Sequence, residues 1–200
     1  MKNNKKYDND LIISNDDEEN TFKKLENNGY GTQSILNIIM YLKNMSDYEL
    51  NYVIPIYRVI LGGYSSSRLF NIIREENSLA YYSFARLEKD DSLINIIMAV
   101  EKENYQKALE LSIKVVDDMK KVTKKEVEDA KKTIISSLLE SQDNIGNIIS
   151  RQYNANLFDL PDIDNFINKL NEVTKEEVEK VAGKIKPNIS HFLKGVSTNG

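Results

Sequence analysis

Cysteine and tryptophan are absent from the 200 residues, and histidine occurs once, at His191. Without thiols the chain builds no disulfide framework, no cysteine nucleophile and no Cys/His zinc cage, and a single imidazole excludes a two-histidine metal site. A basic surplus is missing as well. Lys and Arg number 27 against 31 Asp and Glu, a formal charge of −4, so no global positive field gathers nucleic acid. No apolar run approaches the ~20 residues that span a bilayer. The start, Met1-Lys2-Asn3-Asn4-Lys5-Lys6, leads into acidic, Asn-rich sequence where a signal peptide would need an apolar stretch. The expectation is a cytoplasmic protein that engages neither nucleic acid nor membrane, in keeping with a reducing compartment.

What is present reads as one ordinary domain, expected over residues 31–200, behind an acidic, weakly ordered leader or linker stub over residues 1–30. The leader has only Leu11-Ile12-Ile13, Phe22 and Leu25 as apolar anchors, too few to offset the entropy of ordering it. Ile35 to Leu42 is a β-branched run that suits a buried strand better than a short helix, although periodicity alone does not separate the two. Ser46-Asp47-Tyr48-Glu49 is a capping box ahead of Leu50, Val53, Ile54, Tyr57, Ile60 and Leu61 at helical spacing. Pro55 inside that helix implies a lost backbone bond and a kink, and Gly62-Gly63 is expected to end it through backbone angles that other residues resist. A second helix is expected near Ser66, with Leu69, Phe70, Ile72 and Ile73 inward.

Leu79–Leu87 and Leu93–Val100 are strand-like and separated by five polar residues, which predicts an antiparallel hairpin. Ala108, Leu111, Val115 and Met119 then mark an amphipathic helix, and Thr123 and Thr174 each open a capping box for a further one. Phe166, Ile167 and Leu170 belong to another helix, Pro161 and Pro187 mark interruptions, and Ile189 to Gly195 reads as a closing strand. The order implies an α+β fold with a small antiparallel sheet and helices on one face.

Most clusters of polar residues here have an ordinary explanation. Asp90-Asp91 and Asp117-Asp118 lack the spacing of a calcium loop and read as solvated turn and helix surface. Gly62 to Ser67 lacks the lysine of a phosphate-binding loop and follows a helix rather than a strand. His191 between Ser190 and Phe192 reads as a structural residue.

The stretch Leu61-Gly62-Gly63-Tyr64-Ser65-Ser66-Ser67-Arg68-Leu69-Phe70-Asn71-Ile72-Ile73-Arg74-Glu75-Glu76-Asn77-Ser78-Leu79-Ala80-Tyr81-Tyr82 is more specific. It resembles the "LGGG-x-SSRLF-x-x-(I/V)RE-x-x-x-LAY" segment in the non-zinc half of the insulinase/pitrilysin family of zinc metallopeptidases, which includes the mitochondrial processing peptidase. The wording Asn77 to Tyr82, with the closing Phe192-Leu193-Lys194-Gly195, is most similar to bacterial members that have lost the zinc motif and work beside an active partner. A looser match runs from about Gln33 to Gly195.

The resemblance implies a metallohydrolase half-domain, used in duplicate to wall a chamber around extended peptides. In that family the arginine of "RE" and the tyrosine of "LAY" face the zinc site and hold substrate backbone or a developing oxyanion, which carries over to Arg74 and Tyr81. A guanidinium fork and a phenol O–H are suited to a carbonyl oxygen gaining charge, at ~3 kcal/mol per donor. The family's zinc unit, His-x-x-Glu-His with a downstream Glu, needs two histidines that this chain does not have. No catalytic residue or cofactor is therefore expected here. Zinc is expected on a partner subunit or domain that hydrolyses the peptide. The other reading is a scaffold, a pseudo-peptidase with no substrate contact.

Overall fold

Strict alternation along two central strands decides where the core lies. In β2 (Ser34–Tyr41) the side chains of Leu36, Ile38 and Met40 are fully buried, and in β4 (Leu93–Val100) those of Ile94, Ile96 and Met98 are; the residues between them are largely half-exposed. A period of two with one dry face is the signature of a sheet covered on one side. The computed structural model describes residues 22–29, 31–141 and 162–195.

Within those residues the sheet has five strands in the order β1-β5-β2-β4-β3, with β1 Lys23–Asn28, β3 Ala80–Glu88 and β5 Ile189–Lys194. The predicted hairpin is β3–β4, and β2 pairs antiparallel with both β4 and β5. Two corrections apply at the edge. Lys23–Asn28 is not part of a loose leader: it pairs in parallel with β5, Lys23 opposite Ile189 through Asn28 opposite Lys194. The sheet is consequently mixed. All six residues of β1 are exposed, so backbone hydrogen bonds rather than burial hold it.

Helix α1 (Ile54–Gly62) lies at the centre of the helical layer, with seven of its nine residues buried, which is why it reads as apolar all round. The Ser46 capping box forms, Ser46 N–H donating to Glu49 at 2.8 Å and Glu49 N–H to Ser46 Oγ at 3.2 Å. A π-helical turn over Glu49–Val53 follows, closed by Ile54 N–H on Glu49 O. The wide turn ends just before Pro55, which then sits in the first turn of α1, where a missing N–H costs least. Pro55 thus separates two helical modes instead of breaking one helix.

The glycines after it act by size. Gly63 has φ −95°, and no glycine among the described residues has positive φ. A Cβ on Gly62 would lie 2.7 Å from the backbone nitrogen of Ala85, so glycine is required for α1 to rest on β3.

Among the described residues the remaining α-helices are α2 (Tyr105–Asp118), α3 (Lys124–Ser141), α4 (Ile163–Glu172) and α5 (Lys175–Ala182). The Thr123 and Thr174 capping boxes are both present. Val115, Val116, Val127, Ala130, Val178 and Val181 complete the core, and Tyr105 stacks on Phe192 of β5 with ring centroids 4.0 Å apart. Each such aliphatic side chain removed from water contributes ~1.5–3 kcal/mol. The readings made at Leu11 to Ile13 and at Pro161 lie outside the described residues.

Candidate functional site

Between α1 and β3 the chain makes a second helical segment whose core part, Phe70–Glu76, is again π-helical, a geometry frequent at functional sites. Leu69 and Ile73 are fully buried as expected, whereas Phe70 and Ile72 are only partly covered. The segment ends in a wide closure: Asn77 Nδ2 donates to Ile72 O at 2.8 Å, and Leu79 N–H reaches back to Ile73 O at 2.9 Å. Ser78 between them is left-handed, with φ +51°. A β-branched residue would strain that position.

Tyr81 owes its orientation to a β-bulge. Ala80 faces Val100 and Tyr82 faces Ala99, so three residues of β3 stand against two of β4 and Tyr81 has no cross-strand partner. Such an extra residue bends the strand and re-aims its side chain. Tyr81 is accordingly 77% exposed, its ring edge-on to Tyr82 with centroids 6.4 Å apart.

Arg74, on the π-helical segment, lies with its guanidinium carbon 4.9 Å from the centre of the Phe70 ring and its Nε 3.8 Å from a Glu75 carboxylate oxygen. Neither contact occupies the guanidinium fork. Arg74 and Tyr81 line one groove of about 490 Å³, floored by Leu79, Ala80, Ala99 and Val100 and rimmed by Glu75, Glu101 and Asn104. The structure therefore brings the two predicted residues to one place. It offers hydrogen-bond donors to a carbonyl or carboxylate oxygen. Among the described residues no three His, Asp or Glu side chains gather as a metal cluster. His191 is placed in β5 with its Nε2 2.9 Å from Asn27 Oδ1.

Arg68, in the same motif, has a role that inspection of the sequence missed. Its Nε and Nη2 donate to both carboxylate oxygens of Glu126 at 2.7 and 3.0 Å, and its other donors reach Asp118 O and Lys121 O at 2.7 and 2.8 Å. Burial opposes ionisation of Glu126, but the hydrogen bonds from Arg68 and Thr123 outweigh it and hold the carboxyl below its ordinary value. Arg68 ties the helical segment to the α2–α3 junction. The only sequence signal was the capping box that placed Glu126 at the start of α3.

Comparison with known proteins adds the following. The family model described as the peptidase M16 inactive domain matches residues 9–134. A Bacillus subtilis (strain 168) protein named "Probable inactive metalloprotease YmfF" is 29% identical over 146 residues, covering 71% of this chain and 34% of its own length. A second protein of that organism, "Uncharacterized zinc protease YmxG", is 30% identical over 141 residues, with 68% and 34% covered. The chain thus spans about a third of the length of the curated relatives it matches. A conserved protein from Enterococcus faecalis V583 shares the fold, with a TM-score of 0.80 at 22% identity over 90% of this chain and 44% of that one.

Proposed function

The chain belongs to the family of peptidase M16 inactive domains, and from that premise we propose that it forms a substrate-binding wall and partner interface for a zinc-bearing subunit or domain that hydrolyses peptides. Arg74 and Tyr81 hold the peptide, presenting donors to a backbone carbonyl or to the oxyanion formed from it. Zinc, the activated water and the proton transfers belong to the partner.

The observation that carries this reading is the bulge that turns Tyr81 out of the sheet and into the groove of Arg74. A residue needed only for packing would not stand 77% exposed. Support for the interface role comes from the sheet face that no described element covers. There Ile35, Ile39, Leu93, Ile97, Ile189 and Leu193 are half-exposed, an apolar surface of the kind that proteins bury against a neighbour.

The test is reconstitution with a zinc-bearing homologue that carries His-x-x-Glu-His. Arg74→Ala and Tyr81→Phe are each expected to lower turnover by about 100-fold, the usual cost of one oxyanion donor, with complex formation unchanged. The scaffold reading predicts full turnover from both variants. Zinc-dependent cleavage by this chain alone, surviving repurification, would overturn the proposal.

A further inference from the structure

A second groove, of about 510 Å³, lies at the other end of β3 and is independent of the Arg74–Tyr81 site. One wall is the helical face of Asn51, Pro55 and Arg58, the other is Phe84 to Leu87 of β3, and Lys89 and Phe166 close its ends. Its charge is one-sided. Among the described residues Arg58, Arg86 and Lys89 line it and no carboxylate does, in a chain whose net charge is −4.

Among the described residues two of these cations, Arg58 and Lys89, have no ion-pair partner. Arg86 is paired with Glu88 at 2.7 Å, and Lys89 has only a long contact of 3.5 Å to Asn51 Oδ1. Among the described residues Arg58 has no hydrogen-bond or ion-pair partner, and burial strips water from it and pushes its pKa down. A half-buried guanidinium with no acceptor costs stability, and its five donors remain available to a carboxylate.

The surroundings favour a polypeptide over a free ion. Among the described residues β3 is the terminal strand of the sheet, so its outer edge has backbone N–H and C=O groups without a strand partner. Phe84, 41% exposed, and Pro55 and Phe166 add apolar walls suited to neighbouring side chains.

We infer that this groove is a docking site for an extended acidic peptide segment of a binding partner, whose carboxylates are received by Arg58 and Lys89 between β3 and α1. The apolar walls and the free strand edge hold the segment's backbone and flanking side chains. Specificity for carboxylates comes from the guanidinium fork of Arg58.

Fluorescence anisotropy of a labelled hexaglutamate peptide against the full chain tests this, with hexaglutamine as the neutral probe. Saturable binding of hexaglutamate alone is expected. Arg58→Gln and Lys89→Gln should each weaken it by roughly tenfold, the effect of losing one charge-assisted contact, while Lys107→Gln and Lys114→Gln on α2 leave it unchanged. Lys89 is exposed near the β3–β4 turn, so its variant keeps the test valid if Arg58→Gln unfolds. Three results would overturn the inference: no saturable binding, an equal loss from the α2 variants, or competition by citrate as tight as the peptide's own binding.

Discussion

Arg68 and Arg74 stand six positions apart in one motif and occupy opposite situations. Arg68 has a side chain 18% exposed, with its donors engaged by Glu126 and two backbone carbonyls from the α2–α3 junction. Arg74 is 46% exposed, with a ring beneath it and only a distant carboxylate beside it. The same division runs through the whole segment. Its first half, Gly62 to Leu69, is absorbed into the frame; its second half, Arg74 to Tyr81, borders a groove with the donors of Arg74 and Tyr81 uncommitted. A motif shared across a family therefore need not be uniformly functional, and saturation of donors is the physical criterion that separates its parts.

The sharpest way to break this comparison is to truncate both arginines. Arg68→Ala should lower unfolding stability by ~3 kcal/mol, since it removes a two-pronged ion pair and leaves Glu126 and two carbonyls without their donor. Arg74→Ala should change stability by less than ~0.5 kcal/mol, as exposed sites do. Urea denaturation of the two variants measures both. Comparable losses would mean that Arg74 belongs to the frame as well, and its role in the groove would need another basis.

A smaller effect is expected at Gly62. A methyl group there meets the backbone nitrogen of Ala85 at 2.7 Å, an atom that moves only if β3 shifts away from α1. Gly62→Ala is expected to cost ~2 kcal/mol by overpacking, where the same exchange at an unhindered helix position would stabilise. Thermal unfolding gives the sign directly. Stabilisation would show that the glycine serves neither packing nor conformation.

The features legible in the sequence are those written in neighbouring residues. The boxes at Ser46, Thr123 and Thr174 need only positions three apart, and the β3–β4 hairpin needs only two alternating runs and a short polar link, so each was found where it was expected. What was not legible depends on residues far away in the chain. Strand β1 has six exposed residues and no alternation, and exists because β5 lies beside it, more than 160 positions on. The ion pair of Arg68 needs Glu126, 58 positions away. The candidate site falls between these cases. Arg74 and Tyr81 were identified through the family motif, whereas the π-helical segment and the bulge that set them around one groove follow from how β3 registers against β4.

The smallest effect concerns pH, and it separates the frame from the groove without touching the groove. Glu126 has a folded pKa below its ordinary value of 4.5 because Arg68 and Thr123 bind its ionised form. The folded state thus takes up its proton later than the unfolded state does as pH falls. The stabilisation from this group is complete above 4.5 and is lost as the pH drops through the folded pKa. Glu49 titrates in the same sense, chiefly through its hydrogen bond from Lys184, so acid weakens the wild-type protein at two places. Arg68→Ala removes the arginine's share of the first and leaves the second. The stability gap between wild type and Arg68→Ala should therefore narrow as the pH falls from about 6 through the carboxylate range, by a small amount because the pair is partly exposed. Arg74→Ala should follow the wild-type curve in parallel throughout. Urea melts of the three proteins across this range read the difference, and a gap that stays constant would mean that Glu126 is not ionised against Arg68 in the folded protein.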